Sequence, residues 1–415
     1  MGCEMNKLDK NYKNNLRGSM LGAFVICSGG YLGAFLRDLG GSDTQFAMLN
    51  ALPAMVAVLS LIPGAMIIDK AKNKLKTTLT ICFLSRAFFL LFALIPFLPE
   101  NVRPLALVML IGLRNAPESV WNIGYQSLMA DVFPMDKLNY IMGKRSKYNN
   151  IIALGSTFLV GMYLNLYDKL PVSNMFLFIT LFIFTFVIGM IEIRQYSKFA
   201  MIEKECFDEI EKISYIDKLK STIKSIPSLP DYKKYCMTIM LFYIGWQMGW
   251  PLFNIYMLKV LKATPIWISY CNIASTASQI LTITFWVKQS EKIGTKPVLG
   301  ICMMFMALSP ICYAVSTSMP MLVVMSIIIG SGMSGGIYML FNELIYVSPE
   351  KNRTLYISLF TVLTQITSSF MPFVGTYIAS TFSIRIALYV SAALRAAGAI
   401  VFLLAFRTKK NKPST

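Results

Sequence analysis

Long apolar runs alternate with short polar connections along the whole 415-residue chain. Runs near 18–38, 45–68, 77–98, 104–130, 148–167 and 172–193 are followed, after a polar gap, by runs near 236–258, 265–287, 297–317, 320–347, 354–379 and 384–406. Each holds about the 20 residues that an α-helix rising roughly 1.5 Å per residue needs to cross the core of a bilayer. The pattern predicts an all-α membrane protein of twelve transmembrane helices. The first run lacks a small-residue cleavage site and reads as a retained anchor. In the gap from Arg194 to Tyr235, rich in Lys and Glu, Phe207, Ile210, Ile213 and Ile216 recur at helical spacing. That segment is either an amphipathic helix at the membrane surface or a plain solvated connector. The expected division is residues 1–193, a linker 194–235, and residues 236–415.

The two sets of runs repeat one another. Ile81-Cys82 answers Ile301-Cys302, Gly112 answers Gly330, Pro134 answers Pro349, and Tyr140-Ile141 answers Tyr356-Ile357. Val160-Gly161-Met162-Tyr163 answers Val374-Gly375-Thr376-Tyr377, and the offset drifts only from 220 to 214. Matches in this order predict two six-helix bundles related by a parallel duplication. With the N-terminus inside, the inner connections and both tails carry 30 of the 39 Lys and Arg residues, and the outer loops six. The positive-inside rule then places both termini and the linker in the cytoplasm and the protein in the cell membrane.

Composition narrows the classes further. With 55% hydrophobic and 14% charged residues and a mean hydropathy of +0.57, the chain is too apolar for an ordinary soluble fold. A net charge of +18 on a soluble protein would suggest nucleic acid, but here the charges sit in blocks between apolar runs, as topology requires. Cys27, Cys82, Cys271, Cys302 and Cys312 fall inside apolar runs, where they act as small hydrophobes. There is no Cys-x-x-Cys pair, no histidine and no Gly-rich phosphate loop, so no enzyme, metal or cofactor is expected.

The loop after the second span reads Asp69, Lys70 and Lys74, with Ala65 and Lys72 where two glycines would complete a Gly-x3-Asp-Arg/Lys-x-Gly-x-Arg/Lys pattern. The loop after the eighth span reads Glu291, Lys292, Gly294 and Lys296, with Val287 at the leading position. Paired in symmetric loops of a six-plus-six chain, these resemble the signature of the major facilitator superfamily. The resemblance spans the whole chain as architecture and reaches no substrate subfamily. It implies that Asp69, Lys70, Lys74, Glu291 and Lys292 belong to gating, with Asp131 as a partner at the end of the fourth span. The other reading is a basic cluster that only fixes topology. Ala153 through Gly161 has isolated glycines and no proline, unlike the fifth span of many drug/proton antiporters.

In such folds the first, fourth, seventh and tenth helices line a central cavity. On one face at helical spacing the fourth span presents Arg114, Glu118, Trp121 and Tyr125, with Asn122 and Gln126 beside them. The seventh presents Tyr243, Gln247, Trp250 and Asn254, the tenth Tyr338 and Asn342, and the first Phe24, Ser28, Tyr31 and Phe35. A charged group at a span's centre costs about 2.5–3.5 kcal/mol, so mid-span Glu118 needs a partner, most simply Arg114 one turn away. Glu118 is then a static pair that holds helices together, a protonation site coupled to transport, or a direct substrate contact. Arg86 and Arg395, in peripheral spans, read as structural charges, and Glu343 as interfacial.

The resemblance implies a monomeric secondary transporter of a small organic solute, working by alternating access in the lipid bilayer, with protons as a candidate coupling partner. Efflux of a drug or metabolite is the alternative within transport. A receptor or scaffold that kept the fold without turnover is the alternative outside it.

Overall fold

The structure, a computed structural model, describes residues 2–69, 71–168, 174–200, 223–349 and 353–406. The predicted amphipathic stretch from Phe207 to Ile216 lies outside these residues, as does Lys70. Among the described residues the helices are α1 (Gly2–Gly29), α2 (Leu32–Asp38), α3 (Asp43–Asp69), α4 (Lys74–Leu94), α5 (Arg103–Val132), α6 (Met135–Leu164) and α7 (Asn174–Tyr196). They continue with α8 (Pro230–Ile255), α9 (Pro265–Ile293), α10 (Thr295–Val315), α11 (Met319–Val347), α12 (Arg353–Thr381) and α13 (Ile384–Ala405). The adjacent glycines Gly29 and Gly30 break the first span, so α1 and α2 together form one membrane-length element, and the segments number twelve. The shortest, α4 and α10, have 21 residues, about 31 Å against a hydrocarbon core of roughly 30 Å.

Seven of these, α1 with α2, α3, α4, α7, α10, α11 and α13, are apolar enough to cross a membrane on composition alone. The remaining five, α5, α6, α8, α9 and α12, are equally long but carry more polar side chains. In lipid such side chains must turn toward protein or water, so these are the helices on which a wet site can be built.

The chain divides into two compact units, Met1–Glu209 with Ala263–Ser269, and Ile210–Lys262 with Tyr270–Thr415. Inside the first, α3 packs on α5, α1 on α6 and α7, and α4 on α5 and α7. Inside the second, α8 packs on α12 and α13, and α10 on α11 and α13. The remaining equivalent pair, α9 with α11, is joined by Ser278 Oγ donating to the Ile327 carbonyl (2.6 Å) and Trp286 Nε1 to that of Ser331 (2.8 Å). Each unit therefore carries the same set of helix pairings, the structural counterpart of the sequence repeat. The repeat pair Gly112 and Gly330 marks equivalent crossings. A Cβ at Gly112 would lie 2.9 Å from Leu52 of α3, and one at Gly330 2.1 Å from the backbone carbonyl of Ser275 in α9. Close helix approach over small residues is the main source of helix association in lipid, where no hydrophobic effect separates one apolar surface from another.

Local signals set the starts of two helices that matter below. Asn73 caps α4 by accepting from Lys76 N at 2.9 Å, which makes Lys74 the first helical residue. Ahead of α10, Gly294 adopts φ +90°, a conformation that favours glycine, and sets Lys296 in the first turn.

Candidate functional site

In the first unit, three helices bring four charged side chains together. Arg86 of α4, 2% exposed, grips Glu192 of α7 through Nε (2.9 Å) and Nη2 (3.3 Å) and reaches Glu118 of α5 through Nη1 (2.8 Å). Arg114 Nη2 lies farther from the Glu118 carboxylate, at 3.4 Å, and its guanidinium sits 4.7 Å over the Phe89 ring. The Ser85 hydroxyl donates to the same Glu118 oxygen. Two arginines and two carboxylates cancel formally, which offsets the cost of burying them.

The sequence expectation of an Arg114–Glu118 pair describes only the outer part of this cluster. Arg86, read as a peripheral structural charge, is its hub, and Glu192 carried no sequence expectation. Gly189 and Gly22 make room for it: a Cβ at either would lie 2.9 Å from the Arg86 stem and 2.6 Å from Glu192 Oε1, respectively.

The stripe on α5 faces the interior of the unit, and the residues beside it do not. Trp121 and Tyr125 turn into the unit and pack on Tyr196, with ring centroids 5.6 and 5.5 Å away, and the Tyr125 hydroxyl donates to Asn15 Oδ1 at 2.6 Å. Asn122 and Gln126 are exposed, and Arg114 and Glu118 are half-buried between these extremes. A residue turns about 100° around the helix axis, so Arg114, Glu118, Trp121 and Tyr125 share an arc of roughly 60°, while Asn122 and Gln126 fall about 80° and 120° from Arg114, outside it. The structure thus brings Arg114 and Glu118 together, leaves Asn122 and Gln126 open, and gives Trp121 and Tyr125 to packing. On the first span, Tyr31 is buried and donates to the Thr157 carbonyl at 2.6 Å.

In the second unit, Tyr243, Gln247 and Asn254 of α8 are half-buried, and Tyr243 lies against Trp246 at a centroid distance of 5.0 Å. Trp250 is 38% exposed and lines a cavity of about 240 Å³ with Trp246, Phe253, Asn272, Gln279, Ser309, Tyr313 and Arg395 among its walls. Asn342 borders a separate cavity of about 700 Å³ with Leu229, Asp231, Tyr232 and Ser348, while Tyr338 is exposed. Sequence reading passed over Asn272, Thr276 and Gln279, although their spacing in α9 follows the rule applied to α5 and α8.

At one end of each unit lies an ion pair between equivalent helices. Lys74 Nζ, at the capped start of α4, is 2.8 Å from Asp131 Oδ2 at the end of α5. Lys296 Nζ, in the first turn of α10, is 3.6 Å from Glu343 Oε1 in α11. Glu343 is therefore a buried ion-pair partner. Glu291 and Lys292 are exposed at the end of α9, and the side chain of Asp69 lies outside the described residues.

Residues 235–415 match the sequence profile of the Major Facilitator Superfamily. No curated protein matches the sequence. Solved structures resemble it along nearly its full length. A bacterial homolog of the human lysosomal transporter Spinster, in an inward-facing and unoccupied conformation, aligns at TM-score 0.69 and 11% identity, over 97% of each chain. The nucleoside transporter NupG aligns at 0.68 and 12%, over 97% of this chain and 100% of its own. A POT family transporter in complex with 5-aminolevulinic acid aligns at 0.66 and 12%, over 96% and 95%. The C-terminal part of the chain thus matches the profile of the major facilitator superfamily, and almost its whole length shares the fold of these solved transporters.

Proposed function

We propose that this protein is a secondary transporter of a small organic solute, working by alternating access in the cell membrane with both termini in the cytoplasm. The observation that carries this reading is the polar surface of α5, α8 and α9. Lipid has no partner for Glu118, Asn122, Gln126, Gln247, Asn254, Asn272 or Gln279, so their retention on membrane-length helices supports an aqueous route beside them. The thirty-to-six bias of basic residues supports the orientation. Transport of nucleosides by one solved relative, and binding of 5-aminolevulinic acid by another, support a polar organic solute.

Coupling to protons rests on Glu118. It is the least enclosed carboxylate of the buried cluster, its side chain 18% exposed against 3% for Glu192, and it holds the weaker share of Arg86. Protonating Glu118 frees Arg86 to bind Glu192 alone, a change of partners that one proton can drive. Uptake by proteoliposomes under an imposed pH gradient tests both parts. The full chain should concentrate its solute with the gradient, and Glu118→Gln should equilibrate it without concentrating it. An unchanged gradient response in Glu118→Gln would remove the coupling role, and absence of saturable flux for any bound solute would remove the transporter reading.

A further inference from the structure

Each unit buries one arginine among packed helices, but only the first unit balances its charge. Arg86 faces two carboxylates. Arg395, halfway along α13 and 1% exposed, faces none. Between residues 236 and 349 the chain holds only two acidic residues, Glu291 and Glu343, and between 353 and 406 it holds none. Glu343 lies against Lys296, and Glu291 is exposed at the far end of α9. Among the described residues Arg395 has no ion-pair partner within 4.0 Å.

Its guanidinium is held instead by neutral acceptors. Nε donates to the Gly245 carbonyl (3.2 Å), Nη1 to the Met306 carbonyl (3.1 Å) and to Ser309 Oγ (2.6 Å), and Nη2 to the Trp246 carbonyl (3.2 Å). A guanidinium carries five N–H groups, so four bonds leave one donor, on Nη2, and the whole positive charge. Gly249 lets that nitrogen approach α8, since a Cβ there would lie 2.3 Å from it. The four bonds fix the group's position. They do not neutralise it, and a buried unpaired charge is among the most costly features a fold can keep.

Arg395 also forms part of the wall of the 240 Å³ cavity, together with the aromatic side chains of Trp246, Trp250 and Tyr313. We propose that this cavity binds the carboxylate of a small monoanionic solute through Arg395, with a flat ring or short apolar body of the solute against Trp246 and Trp250. The proposal rests on the transporter reading and names the class of its solute. One free N–H and one charge fit a single carboxylate oxygen, whereas a phosphate would leave most of its acceptors unmet. The volume lies below the roughly 300–1,000 Å³ of pockets for drug-sized ligands, which limits the occupant to about one ring system. Indole faces offer that ring a broad apolar surface.

Matched acids and amides test this on the purified full-length protein in detergent. Indole-3-acetate and phenylacetate are compared with indole-3-acetamide and phenylacetamide, and inorganic phosphate, by calorimetry and thermal shift. Each acid should bind at least about tenfold more tightly than its amide, as a charge-assisted hydrogen bond requires, and phosphate should not bind. Arg395→Gln should bind acid and amide alike. Because that variant removes a guanidinium with four bonds and can fail to fold, Trp250→Ala serves as the second test, expected to weaken acid and amide by the same factor. Equal affinity for acid and amide, tighter binding of phosphate, no binding of either acid, or discrimination that survives Arg395→Gln would each overturn the proposal. Solute flux without acid–amide discrimination removes only the anion site, and discrimination without flux removes only the transporter reading.

Discussion

At the scale of residues, the charged cluster on Arg86 carries most of the consequence. Removing one member of a buried ion pair costs about 3–5 kcal/mol, because the partner is left charged and desolvated. Arg86→Met strands Glu192, leaves Glu118 to the more distant Arg114, and should lower the melting temperature of the purified protein sharply. Adding Glu192→Gln to Arg86→Met removes one stranded charge and should recover part of the loss; equal melting of the single and double variants would show that the cluster does not act as a unit. Glu118 stood out in the sequence because an acid at mid-span needs a partner. Glu192 did not, since it lies two residues before Arg194 at the end of its apolar run, where the pattern of apolar positions does not single it out. Nor can spacing along one helix show that Arg86, on another, comes closer to Glu118 than Arg114 does. That proximity depends on how α4, α5 and α7 pack, and packing over Gly22 and Gly189 is a tertiary fact.

At the scale of elements, the helices themselves follow from hydropathy, and their crossings follow from where the small residues fall. Gly330 illustrates this. Its missing side chain faces backbone of α9 and not the tip of a flexible residue, so the contact cannot yield by changing a rotamer. Gly330→Leu should therefore destabilise the second unit by at least the roughly 1–3 kcal/mol typical of overpacking, whereas Gly155→Ala, with nothing within 4 Å of a Cβ, should be neutral; melting curves of the two variants distinguish them. Equal stability would mean that α9 and α11 do not depend on this approach. The stripe rule identified the polar helices α5 and α8 from sequence, but it does not say what a face meets: Trp121 and Tyr125 pack in the core of the first unit, while Asn122 beside them is exposed. Applied to α9, the same rule would have found Asn272, Thr276 and Gln279.

At the scale of the whole molecule, the duplication legible in five short matches reappears as one set of helix pairings in both units and as one ion pair in each, Lys74 with Asp131 and Lys296 with Glu343. The chemistry is not duplicated with it. The first unit buries a balanced set of four charges, whereas among the described residues Arg395 of the second has no carboxylate partner, which gives the proton-responsive part of the account to the first and the solute-anchoring part to the second. No motif in the sequence separates these roles, because both arginines sit in apolar runs and differ only in which neighbours the fold supplies. The central claim is that polar residues on α5, and likewise on α8, are reached by water from each side of the membrane by turns. Side-specific labelling measures this most directly. In a background cleared of native cysteines, Gln126→Cys and Gln247→Cys are exposed in sealed vesicles to a membrane-impermeant maleimide from one side and then the other, with and without bound solute. The account predicts labelling from both sides, with the balance shifted by solute; labelling from one side only, unaffected by any solute that binds, would contradict it.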